Sequence, residues 1–68
     1  MLKLSVEVDG HVTVLAKFSD SAIAESASLY YIIAYADEHD LYMINCIEFA
    51  KQYLYKDGLG RRYYFRIE

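Results

Sequence analysis

The residue types that carry chemistry are few in this 68-residue chain, and their spacing sets up no reaction. The nucleophile and soft metal ligands are His11, His39 and Cys46. No CxxC or HxxxH spacing joins them, so a zinc site lacks its ligand set. Cys46 falls on an apolar arc, where cysteine acts as a small core residue, and no base stands near it in the sequence to generate a thiolate. Asp37, Glu38 and Asp40 offer paired carboxylates. Glycosidase-type chemistry needs two carboxyls facing each other across a cleft. So short a chain has little room for one, and helix capping explains these acids more simply. Gly58-Leu59-Gly60 lacks both the Lys-Ser/Thr and the preceding strand of a phosphate loop. The expectation is no catalytic residue, no metal, no cofactor and no enzyme.

Binding is better represented than catalysis. Eight residues are tyrosine and none is tryptophan. A buried tyrosine needs a partner for its hydroxyl, so several are expected at the border between apolar and wet surface. There they supply contact area at low entropic cost. Charge is unevenly spread within a net −3. Between Phe18 and Ala50 stand six acids (Asp20, Glu25, Asp37, Glu38, Asp40, Glu48) without a Lys or Arg, whereas the two ends hold all seven basic residues. Segregation of this kind raises local potential and steers encounter.

These residues must be positioned by elements legible in the hydropathy pattern. Residues 2–8 and 11–18 alternate with period 2, as half-buried strands do, and Asp9-Gly10 between them makes a hairpin. A two-residue turn pairs Val8 with His11 and sends Val12 and Val14 to the face opposite Leu4 and Val6. A three-residue loop, Val8-Asp9-Gly10, aligns Leu2, Leu4 and Val6 with Ala16, Val14 and Val12. It also puts Gly10 at the left-handed position of a bulged turn, so the three-residue register is expected. Ser19 reads as an N-cap, with Phe18 and Ile23 as a hydrophobic staple. The helix it opens runs to about Ala36. Its stripe of Ile23, Leu29, Tyr30 and Ile33 should face the sheet, leaving Tyr31, Ile32 and Tyr35 on other faces, as in a helix covered on more than one side.

Asp37 to Asp40 is a polar break, and Asp37 or Asp40 could cap a second helix. From Leu41 to Lys56, at 100° per residue, Tyr42, Met43, Cys46, Ile47, Phe49, Ala50, Tyr53 and Leu54 fall on one arc opposite Asn45, Glu48, Lys51, Gln52 and Lys56. The pattern predicts a second helix, ended by Asp57-Gly58 with Leu59 in a Schellman contact. Residues 61–67 form a last strand, with Tyr63, Phe65 and Ile67 facing in and Arg62, Tyr64 and Arg66 facing out.

The expected fold is α+β, one domain over residues 1–68. Its order is ββααβ: a three-stranded, mainly antiparallel sheet with a two-helix hairpin on one face. The longest apolar run, Leu29 to Ala36, is far short of the ~20 residues that span a bilayer. The N-terminus lacks the features of a signal peptide, so the expected place is the cytoplasm. The expected function is a small protein-binding module that acts by occupying a partner's surface. Its acidic side (Glu25, Asp37, Glu38, Asp40, with Tyr31 and Tyr35) would meet a basic protein. An alternative is nucleic-acid binding through an open sheet face bearing Lys3, Lys17, Arg62, Tyr64 and Arg66. A third is a homodimeric structural subunit, because a chain this small often needs oligomerisation to be stable. In type, a short, proline-free, tyrosine-rich chain without a catalytic set resembles the small phage-encoded proteins that block one host protein. Anti-CRISPR inhibitors of defence complexes are among them. That resemblance implies action in the host cytoplasm and assigns no residue a role.

Overall fold

The N-terminal hairpin is built on a two-residue turn. Asp9 and Gly10 both take left-handed backbone angles (φ 52° and 81°), the signature of a type I′ turn, whose twist matches that of the strands it joins. Val8 therefore pairs with His11, between β1 (Leu2–Val8) and β2 (His11–Phe18). This corrects the three-residue register. Pairing then skips Leu15: Ser5 faces Val14 and Leu4 faces Ala16. The extra residue is a β-bulge, and it shifts the second half of β2 by one. Ala16 and Phe18 thus share a face with Leu4 and Leu2, while Val12 and Val14 point the other way and are exposed.

The coordinates form a computed structural model that describes residues 1–47 and 51–68. It overturns the expected ββααβ arrangement. Helix α1 (Ser21–Glu38) is followed by three strands, β3 (Tyr42–Ile47), β4 (Gln52–Lys56) and β5 (Arg62–Ile67). They join the hairpin in one antiparallel sheet of order β2-β1-β5-β4-β3. The predicted second helix is the β3–β4 hairpin. Its Tyr42, Ile44, Ile47, Tyr53 and Tyr55 are β-branched or aromatic, which suits a pleated surface better than a helix. The expected arc is broad because most of the segment is apolar. Glu48, Phe49 and Ala50, assigned to that helix by the pattern, lie outside the described residues. The last strand is where the sequence puts it, with its faces as expected: Tyr63, Phe65 and Ile67 are buried.

Helix α1 starts one residue later than expected. Asp20, not Ser19, is the N-cap, and its Oδ1 accepts from the amides of Ala22 (2.8 Å) and Ile23 (3.3 Å). The staple therefore fails, and Ile23 is exposed. The face on the sheet is Ala24, Ser28, Ile32 and Ala36, not Ile23, Leu29, Tyr30 and Ile33. These four mostly small residues, spaced by four, form one row along the helix and let it lie close to the strands. Packing is mainly on β2, β1 and β5. The core is Leu4, Val6, Phe18, Ile32, Tyr55, Tyr63, Phe65 and Ile67, with Ala24 and Ala36 of the helix.

Among the described residues there is no second helix for Asp37 or Asp40 to cap. Asp40 has φ 55° just after α1, and the amide of Leu41 donates to the Ala36 carbonyl at 2.7 Å. Leu59 ends a strand turn rather than a helix and is exposed, so the Schellman contact is absent. Among the described residues no helix is long and apolar enough to cross a membrane.

Candidate functional site

The face of the sheet turned away from α1 follows from strand alternation. Leu4 and Val6 of β1 point to the helix, so Lys3, Ser5 and Glu7 point away. On β5 the outward residues are Arg62, Tyr64 and Arg66. Pairing carries this across the sheet: Lys17 lies opposite Lys3, while Lys56, Leu54 and Gln52 lie opposite Arg62, Tyr64 and Arg66. On β3, Tyr42 pairs with Lys56 and Asn45 with Leu54. Lys3, Lys17, Arg62, Tyr64 and Arg66 are thus brought onto one face, as the sequence suggests. Lys56 and Tyr42 join them. The helical arc hides both, although the alternation in Gln52-Tyr-Leu-Tyr-Lys56 carries the signal of a strand.

Five of the seven basic side chains share this face. The other two are paired elsewhere, Lys51 with Glu25 and Arg61 with Asp57. Among the described residues, the acids on the face are Glu7 and, at its margin, Glu68, whose backbone pairs with Lys3. Glu7 binds Arg66 at 3.2 Å. The Arg66 guanidinium also lies 6.0 Å from the centre of the Tyr64 ring, at the limit of a cation–π contact. Two cross-strand pairs, Lys3–Lys17 and Lys56–Arg62, set like charges directly opposite each other. That arrangement destabilises a sheet, and among the described residues no second layer covers it.

The turn after β4 fixes the Lys56–Arg62 end of this face. Asp57 is buried. Its Oδ1 accepts from the amides of Leu59 and Arg61, both at 2.9 Å. Its Oδ2 accepts from Arg61 Nε at 2.9 Å and from the Tyr63 hydroxyl at 3.1 Å. Burial pushes the Asp57 pKa up, but these hydrogen bonds, Arg61's foremost, outweigh it and hold the carboxyl below its ordinary range. Burial first, then the bond to Asp57, raises the Tyr63 phenol.

The acidic side is not a single cluster. Asp20 caps the start of α1, and Glu25, near that start, is taken by Lys51. Asp37 and Glu38 end the helix with Asp40 just beyond, roughly 18 Å from Glu25 at 1.5 Å per residue. Tyr31 packs edge-on to Phe18 at 6.0 Å. Tyr35 is half-buried, stacked on His39 at 4.0 Å and edge-on to Phe65 at 5.6 Å. His39 Nδ1 lies 2.9 Å from the Tyr35 carbonyl and closes the end of the helix. Cys46 is half-buried on β3 with a free thiol. No family model, curated protein or solved structure matches this chain. The site must be read from its own chemistry. It offers an open sheet face five strands wide, with a central aromatic ring and cations on either side.

Proposed function

We propose that this protein is a binding module whose outer sheet face receives a single-stranded nucleic acid. The observation that carries the reading is the pair of like-charged cross-strand couples, Lys3–Lys17 and Lys56–Arg62, set on either side of Tyr64 on an uncovered face. Such couples cost stability in the free chain, and a phosphate backbone laid across them relieves that cost. Single strands bind where cations track the backbone and aromatic rings take the bases, and Tyr64 and Tyr42, both exposed on this face, would serve the second task. Fluorescence anisotropy of a labelled oligo-dT tests it. Tyr64→Ala should weaken binding by roughly 5- to 150-fold, the range of one base–aromatic stack. Lys56→Ser with Arg62→Ser should flatten the salt dependence, by about 0.7 in logarithmic slope for each phosphate no longer neutralised. Equal affinity for duplex and single strand, with no effect of Tyr64→Ala, refutes the reading.

A second reading has one specific observation behind it. Asp37 and Glu38 occupy the last turn of α1, which has no basic residue, with Asp40 just beyond. Acids there oppose the helix dipole, so a basic protein docking on this end would relieve them. This is the protein-blocking role expected from the acidic stretch. Asp37→Lys with Glu38→Lys should then abolish capture of that partner and leave oligo-dT binding intact.

A further inference from the structure

On the side that its own sheet does not reach, helix α1 presents large apolar residues, with Ser26 among them and Asp37 at the end of the stripe. Tyr30 is 78 % exposed, Ile33 60 % and Ile23 55 %. With positions 23, 30 and 33 spaced by three and seven, these side chains line up as one ridge. The sheet has the converse feature. The helix packs mainly on β2, β1 and β5, so beyond Tyr55, which is buried in the core, the helix-side face of β3 and of the Tyr53 end of β4 forms a wing that it leaves partly open. Met43, which pairs with Tyr55, is 54 % exposed there, and Cys46 and Tyr53, paired with each other, are half-buried. Two strands at about 4.8 Å spacing leave a strip roughly 10 Å wide, the diameter of one helix. An exposed apolar ridge and a partly exposed apolar wing are carried by the same chain.

We propose that two copies pair about a two-fold axis, each seating the Ile23–Tyr30–Ile33 ridge of α1 on the open β3–β4 wing of the other. The two helices then lie side by side as a middle layer between two sheets. A self-complementary surface of this kind closes as a dimer. Charge favours this arrangement over the other two-fold pairings. β3 carries no charged side chain, whereas stacking the outer sheet faces would press cations on cations. Edge-to-edge pairing is opposed by the bulges at Leu15 in β2 and Ile44 in β3, which twist an edge away from a partner strand.

Sedimentation velocity at high micromolar concentration tests this. The expected mass is twice that of the 7.9 kDa chain. Ile33→Lys and Met43→Lys should each return it to the monomer, with the circular dichroism spectrum unchanged. Should Met43→Lys fail to fold, the milder Met43→Gln takes its place. The deciding measurement mixes Ile33→Lys with Met43→Glu. Each variant alone is monomeric, but the mixture should recover the dimer mass. In the mixed dimer one interface sets the introduced lysine against the introduced glutamate, and the other keeps the native residues on both sides. A wild-type monomer at that concentration overturns the proposal. So does a dimer that survives both single substitutions, or a mixture that stays monomeric.

Discussion

Asp57 is the residue on which the β4–β5 turn depends, since one carboxylate accepts two amides, a guanidinium and a phenol. Its pKa is lowered in the folded chain. The ionised form therefore adds stability that is present above the ordinary value and lost as pH falls through the folded one. Asp57→Asn should lower the urea midpoint at neutral pH and flatten the acid limb of the stability profile. An unchanged acid limb would show that the carboxylate does not hold the turn. Tyr63 runs the opposite way: its raised pKa makes the protonated phenol stabilising, with loss as pH climbs past the ordinary tyrosine range. Ser28 is a different case. It is fully buried against the sheet, and its Oγ has no hydrogen-bond partner. A buried hydroxyl left unpaired costs about 1–3 kcal/mol. Ser28→Ala keeps the close approach of α1 and should raise the unfolding free energy by about 1 kcal/mol, measured in urea. A loss of stability would mean that the hydroxyl does find a partner.

At the scale of elements, the hairpin shows how a local turn overrules a longer pattern. Asp9-Gly10 prefers the type I′ geometry, and that preference sets the register even though it turns Val12 and Val14 outward. The bulge at Leu15 then recovers the core for Ala16 and Phe18. Alternation counts cannot show this, because an inserted residue flips parity without changing composition. Gly10 has φ 81° and open space where a Cβ would stand. Gly10→Ala should therefore cost only the left-handed penalty, roughly 1–2 kcal/mol, with the fold retained, as chemical denaturation would show. A larger cost, or a changed spectrum, would mean that the turn decides more than the register. β1, β2, β5 and the long helix are legible because their patterns are clean, and the outward Lys3, Lys17, Arg62, Tyr64 and Arg66 follow from them. β3 and β4 are not. Met43 to Cys46 has no polar alternation, since its edge position leaves both faces partly exposed, and a run of apolar residues fits a helix arc as well as a strand. The docking face of α1 is hidden for a related reason. Hydropathy assigns the large apolar residues to the sheet, whereas the helix settles on Ala24, Ser28 and Ala36 and carries Tyr30 and Ile33 outside.

On the scale of the whole molecule, charge is divided between two sides. The outer sheet face gathers Lys3, Lys17, Lys56, Arg62 and Arg66, while the helical side carries Asp20, Glu25, Asp37 and Glu38. A polyanion is attracted by one side and repelled by the other, so encounter is oriented before contact. Pairing through the ridges and wings would leave both basic faces turned outward, roughly 20 Å apart across the helix layer. A short oligonucleotide reaches one face, whereas a strand long enough to pass round the dimer's edge reaches two. The second contact is then intramolecular, and avidity rises by roughly 100-fold or more without any new interaction. The monomerising variant Ile33→Lys separates these effects, since Ile33 lies on the side away from the outer sheet face. Anisotropy titrations should give it the wild-type affinity per chain for a short oligo-dT and a weaker one for a long oligo-dT. Parallel losses at both lengths would place Ile33 in the strand-binding surface itself. Equal affinities for the two proteins at both lengths would mean that each face binds alone.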